Sequence, residues 1–176
     1  MATIYNGKHV VFEEVGLGDT SYQWNSPANI DNDNAYNDWN ISDMRTTTLP
    51  ARLLLLSSDL QAIITNTTIQ TATNGNNGTL VSTTDKLFLP AEKEMSETRT
   101  YSRAEEFNAL TTWNYWTTHT QASDRKKYDN TSTARFYWLR SSFNGSTNQT
   151  IIIDTNGYFS YIDARNSYRI SLCYAL

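Results

Sequence analysis

The sequence predicts an α+β domain, and three observations carry that prediction. Apolar residues at helical spacing fall early, at Leu60, Ile63 and Ile64. Apolar runs of strand length fall late, from Phe136 to Arg140 and from Gln149 to Asp154. The pair Asn156-Gly157 then leads into Tyr158 to Ile162, and Asn-Gly tolerates the positive φ of a tight hairpin turn. Helices early and packed antiparallel strands late make the α+β pattern. A chain of 176 residues is most simply one domain, here 1–176, with residues 1–20 as an N-terminal hairpin extension. At that length folding hides roughly 70% of the unfolded surface, enough for a core without disulfides or metals.

From the N-terminus, Asn6-Gly7 separates Thr3–Tyr5 from Lys8–Phe12 and reads as a hairpin turn. A polar stretch with Gly16, Gly18 and Pro27 follows to about Asn37, with a short strand near Tyr22-Gln23-Trp24. Pro50 can open a helix that Leu53 to Leu56 continue. Ser58-Asp59-Leu60-Gln61 has the form of a capping box with Ser58 as the N-cap. One or two short helices are expected there. Within Asn66 to Thr84, Asn74-Gly75-Asn76-Asn77-Gly78 reads as a turn or exposed loop. Asp85 to Leu89 reads as a short strand ended by Pro90, and Ala91 to Met95 as a helical turn. Ala104 to Leu110 reads either as a second helix or as part of an irregular aromatic segment with Trp113, Tyr115 and Trp116. The end is β, closed by Arg169 to Ala175, and residues 136–176 are expected to form strands of one central sheet.

Composition narrows the function. The net charge of −4 argues against nucleic acid, whose binders usually carry a basic patch. The run Arg125-Lys126-Lys127 reads as a solvated turn. A single cysteine, Cys173, forbids an internal disulfide and lies in an apolar run, so it reads as a small buried hydrophobe. No apolar run approaches the ~20 residues of a membrane span. The start, Met1 to Tyr5, lacks the basic and apolar regions of a signal peptide.

The order of motifs resembles the small C-type-lectin-fold domains of gut bacteria and their phages. These are distant relatives of the formylglycine-generating (sulfatase-modifying) enzymes and of the variable proteins of diversity-generating retroelements. The resemblance rests on Trp39, on Ser42-Asp43-Met44-Arg45 before a Leu-rich helix, on Lys86-Leu87-Phe88-Leu89 followed by Glu92 and Glu94, and on Arg125-Lys126 ahead of Trp138-Leu139-Arg140-Ser141. A hairpin glycine matches Gly157, and the resemblance spans about residues 20–176. It implies a C-type-lectin-like fold of antiparallel sheets with two short helices. The chain departs from the family at Arg169 to Tyr174, which lack the Arg-Pro pair common there, and at Pro90-Ala91, where Leu-Ser is common.

The residues offer little for catalysis, and no enzyme activity is expected. Formylglycine generation uses paired cysteines for copper, and this chain has one cysteine. His9 and His119 are far apart and lack ligand-like neighbours, which argues against zinc. Neither a Gly-x-Ser-x-Gly elbow nor a phosphate-binding glycine loop is present. Asp31-Asn32-Asp33-Asn34 has oxygen-ligand spacing but lacks the glycine and glutamate of an EF-hand, so it reads as a solvated loop. No metal, cofactor or catalytic residue is expected. On a strand, Trp138 and Arg140 share one face and Leu139 the other. Trp138 is expected in the core, and Arg140 against a buried carboxylate or carbonyls, which suit its fork.

The segment after Ser142 has a different character. Phe143, Asn144, Ser146, Asn148, Tyr158, Ser160, Tyr161, Asp163, Arg165, Asn166 and Tyr168 are interspersed with framework-like Ile151, Ile153, Gly157 and Ile170. Tyrosine brings contact area with few torsions to freeze, and Ser and Asn bring adaptable hydrogen bonding. In retroelement-diversified relatives, exposed positions of this region vary because adenine-rich Asn codons are rewritten, and these residues fit such a set. The eleven are the expected ligand-binding residues. Alternation puts Tyr158 and Ser160 on one face of a strand and Phe159 and Tyr161 on the other, so the Ser160 face is expected to point outward. Three readings follow: a non-enzymatic ligand- or receptor-binding module, a structural phage tail component, or a degenerate relative of the sulfatase-modifying enzymes. The first is expected to meet a protein or carbohydrate ligand on a cell surface. It implies a place on a phage virion or bacterial surface, or else in the cytoplasm, and leaves a homo-oligomer open.

Overall fold

The computed structural model describes residues 2–5, 8–12, 20–26, 37–73 and 78–176. In chain order its strands and α-helices are β1 (Ala2–Tyr5), β2 (Lys8–Phe12), β3 (Tyr22–Gln23), α1 (Leu49–Leu53), α2 (Ser58–Ile63), β4 (Thr67–Ala72), β5 (Leu80–Asp85), α3 (Glu92–Met95), α4 (Ala104–Ala109), α5 (Asn114–Thr118), β6 (Lys127–Tyr128), β7 (Ala134–Arg135), β8 (Tyr137–Ser142), β9 (Gln149–Ile153), β10 (Phe159–Asp163), β11 (Ser167–Tyr168) and β12 (Cys173–Ala175). A π-helical turn, Met44–Thr48, runs directly into α1. The architecture is α+β, with short helices and several small antiparallel sheets among the described residues.

The last forty residues do not form one sheet. They divide among three: β10-β9-β8, β11 with β3, and β12 with β2 and β1. The strands are two to six residues long, so each sheet stays small. Burial follows from this arrangement, because β8 has every residue buried and is covered on both faces. The N-terminal hairpin is likewise no appendage. Tyr5 lies opposite Lys8, and the other edge of β2 pairs with β12. Residues 6 and 7 themselves lie outside the described residues. Val10 of β2 is fully buried in the core.

Local chemistry accounts for the helices. Pro50 lies in the first turn of α1 and, having no N–H, cannot bond back into the π-helical turn that runs into it. The helix stops at Leu53, so Leu54 and Leu55 stand exposed and only Leu56 turns inward. The cap of α2 is Ser57, one residue earlier than the capping box predicts. Ser57 accepts from the Leu60 amide at 3.3 Å, while Gln61 reaches the Leu56 carbonyl instead. Ile64 is buried, but Ile63 is exposed.

Residues 67–85 form the β4–β5 hairpin, whose two strands flank the turn expected at 74–78; residues 74–77 lie outside the described residues. Its alternation is carried by threonine: Thr67, Ile69 and Thr71 are buried while Thr68 is exposed. The apolar Leu87-Phe88-Leu89 follows β5 rather than forming a strand, and Phe88 bridges Cys173. The core gathers Trp24, Trp39 and Trp138, with ring centroids of Trp24 5.6 and 6.0 Å from the other two. Cys173 is fully buried, as expected. Arg125 and Lys127 are buried too, against the expectation of a solvated turn. Arg125 is held by carbonyls and by the face of Phe159, which replace the water a turn would have offered.

Candidate recognition surface

The surface is assembled on a buried network centred on β8. Arg140 donates from Nη1 to Glu94 Oε2 at 2.6 Å and from Nη2 to Glu94 Oε1 at 2.5 Å, and Nη1 also reaches the Leu89 carbonyl. A buried charge needs such a partner, and a bidentate carboxylate is the best one. Next along the strand, Ser141 donates to Glu106, whose other oxygen accepts the Ala72 amide at 3.0 Å. Burial pushes the Glu106 carboxyl above its ordinary range, opposed by Arg140 and by its hydrogen bonds to Ser141 and Ala72. Ser141 Oγ also accepts from the Glu92 amide at 2.9 Å.

Glu92 connects this network to the surface. Its carboxylate accepts from the amides of Thr100, Tyr101 and Ser102, which fixes that loop beside β8. Ser102 bridges Phe143, and the Asn144 amide donates to the Tyr101 carbonyl at 3.0 Å. The rings then meet. Phe143 stacks on Tyr161 with centroids 3.9 Å apart and planes 2° from parallel, and Tyr101 lies edge-on to both. Gly145 permits this fold-over, since a Cβ there would press on the Phe143 ring at 2.7 Å. Tyr161 is 39% exposed and Phe143 half-buried.

Polar residues hold the flanking loops. Asp163 accepts from Arg165 Nε and Nη2, at 2.8 and 2.5 Å, and from Asn148 Nδ2 at 3.2 Å. Hydrogen bonding from Arg165 draws the Asp163 carboxyl below its ordinary range. Asn148 accepts from Ser146, and the Ala164 amide donates to the Asn148 carbonyl, so the turns after Phe143 and after Asp163 lie side by side. Buried Asn37 donates to the carbonyls of Ser146 and Gln149, both at 2.8 Å. Asn144, next to Phe143, remains exposed, as do Arg165 and Asn166 on the turn after Asp163.

Phe143, Asn144, Tyr158, Tyr161, Arg165 and Tyr168, expected largely on one exposed face, do not share one. Phe143 and Tyr161 touch, with Asn144 beside them, and Ser146, Asn148, Asp163, Arg165 and Asn166 shape the adjoining turns. Tyr158 is 61% exposed but stands at the other end of β10, beside Arg125 and Asn156. Tyr168 is half-buried against Trp138 and Phe136, so it belongs with the core. Ser160 pairs with Ile152, which pairs with Trp138, and lies on that same side of the sheet. The expectation that the Ser160 face points outward fails for Tyr161. β10 is the edge strand, and four of its five residues are only half-buried, so neither face is closed to solvent. Tyr101 gave no signal in the sequence, standing alone in a polar stretch.

Among the described residues no cluster of three His, Cys, Asp or Glu side chains could hold a metal, and no helix is long and apolar enough to cross a membrane. His119 stacks on Tyr115, with planes 5° apart. The side chain of His9 and the stretch Asp31–Asn34 lie outside the described residues.

Fold and site together define a small α+β domain whose buried acid–arginine network supports an aromatic edge. The chain belongs to the family described as "Domain of unknown function (DUF6273)", which matches residues 13–173. No curated protein and no solved structure matches it significantly.

Proposed function

We propose that this protein is a non-enzymatic binding module of C-type-lectin-like fold that recognises a protein or carbohydrate ligand on a cell surface. The observation that carries the reading is the Phe143–Tyr161 stack, whose Tyr161 is exposed on an edge strand and which Tyr101 braces. Rigid rings give contact area at low entropic cost, and the Asn, Ser and Arg side chains around them supply adaptable hydrogen bonds. The motif behind the lectin-fold reading, Trp138-Leu139-Arg140-Ser141, is wholly buried and anchors the loops that carry the rings. A retroelement-diversified phage tail or surface-displayed variable protein from gut bacteria fits this division between fixed core and adaptable edge. A structural phage tail component and a degenerate sulfatase-modifying-enzyme relative are the alternatives. The test is a phage-display library randomised at Asn144, Tyr161, Arg165 and Asn166 and panned on intact gut-bacterial cells. Variants with altered strain preference are expected from this library. Equal recovery from a library randomised at the exposed Asn114, Thr117 and Thr118 would sink the reading.

A further inference from the structure

An open depression of about 560 Å³ lies between the segment 120–126 and the turn Asn156–Tyr158. Gly157 lets these two pieces of backbone meet. Its φ is +88°, and a Cβ there would collide with the Ala122 carbonyl. The wall of the depression includes Gln121, Ser123, Arg125, Lys126, Asn156 and Tyr158.

Arg125 is the unusual member. It is 8% exposed, yet among the described residues no carboxylate lies within ion-pair distance of it or of Lys126. Its Nε donates to the Gly157 carbonyl at 3.0 Å and Nη1 to the Thr120 carbonyl at 3.2 Å, and its plane lies over Phe159. Nη2 is left with no hydrogen bond to the described residues. Neighbouring Asp124 accepts from the Gln121 amide. A guanidinium taken out of water needs a charged partner to offset the cost, and carbonyl dipoles offset only part of it. Burial accordingly pulls the Arg125 pKa down, with Asp124 opposing from a distance.

We propose that this depression binds an oxyanion group, a carboxylate, sulfate or phosphate, carried on a small organic ligand. Arg125 and Lys126 supply the charge, and Asn156 and Tyr158 supply a polar and an aromatic wall. The volume falls within the roughly 300–1,000 Å³ of small-molecule sites, so the oxyanion has room for a body. Arginine's planar fork suits all three oxyanions, and lysine adds a point charge. The site is separate from the Phe143–Tyr161 stack and does not depend on its role.

The test titrates the full chain with glucuronate, inorganic sulfate and inorganic phosphate. The Arg125 Nε–H and the amides of Asn156, Gly157 and Tyr158 are followed by NMR. At least one probe is expected to give saturable shifts confined to these groups, and the responding probe identifies the oxyanion. Lys126→Glu, at a half-buried position, should weaken that binding by about tenfold or more with Tm unchanged, as reversing a charge beside a bound anion does. Tyr161→Ala should leave it intact. The proposal is overturned if no probe saturates at millimolar concentration, if shifts spread over unrelated lysines, or if Lys126→Glu binds like the parent.

Discussion

Arg140 and Glu94 form a bidentate ion pair with both side chains wholly removed from solvent, their closest atoms 2.5 Å apart. The pair joins β8 to α3 and so holds the loop that positions Tyr101. Removing one partner strands the other charge in the core, which typically costs about 3–5 kcal/mol. Glu94→Gln and Arg140→Met are each expected to lower stability by that order in urea melts. The double variant should lose less than the sum of the two, because it leaves no charge unpaired. Strict additivity would show that the pair does not act as a unit.

Trp138 is fully buried between Trp24 and Tyr168, and its Nε1 donates to the Tyr22 carbonyl at 2.7 Å. Trp138→Ala is expected to cost about 3–5 kcal/mol, the usual result of emptying a buried aromatic site. Unchanged denaturant midpoints would place Trp138 outside the cooperative core.

The Glu106 carboxyl has its pKa raised by burial. A carboxyl with a raised folded-state pKa binds its proton more tightly folded than unfolded. Its stabilising contribution is therefore complete below the unfolded pKa of about 4.3 and is lost as pH rises through the folded value. Glu106→Gln keeps the site neutral at every pH. The stability difference, Gln variant minus parent, is expected to grow from pH 4 to pH 8 in urea melts. A difference that stays flat or shrinks would contradict the assignment.

Gly157→Ala is expected to destabilise by at least about 1–3 kcal/mol, since the residue holds a positive φ and the added Cβ meets backbone rather than a movable side chain. The Tm of Asn156→Ala, at an exposed position of the same turn, provides the control. Equal Tm values for the two variants would show that the turn moves away freely.

Sequence patterns reached the parts of the fold that rest on local chemistry. The apolar run Ile151 to Ile153 and the Asn156-Gly157 turn point to β9 and β10, and the aromatic run Phe136 to Trp138 points to a buried strand with Arg140 against a buried carboxylate or carbonyls. The β4–β5 hairpin was hidden because threonine, not an apolar residue, carries its alternation. Which sheets β11 and β12 join depends on pairings with residues more than a hundred positions away, such as Tyr168 with Tyr22 and Tyr174 with Val11, and no local pattern encodes these. The same long-range pairing explains the site. Tyr168 looked like Tyr158 and Tyr161 in sequence, but only Tyr168 faces Trp138. Arg125 looked like a solvated charge because the carbonyls and ring that hold it come from residues 120, 157 and 159.

The central claim is that the Phe143–Tyr161 stack is a recognition surface. The most direct measurement is binding of the fluorescently labelled protein to a panel of intact gut-bacterial strains, with Tyr161→Ala compared to the parent on every strain bound. The variant should lose stacking worth about 0.5–1.5 kcal/mol of stability and remain folded. Its affinity should fall by roughly thirtyfold or more, the loss expected of a hot-spot residue worth about 2 kcal/mol. Equal affinity of the folded variant and the parent, or binding by neither to any strain, would contradict the account.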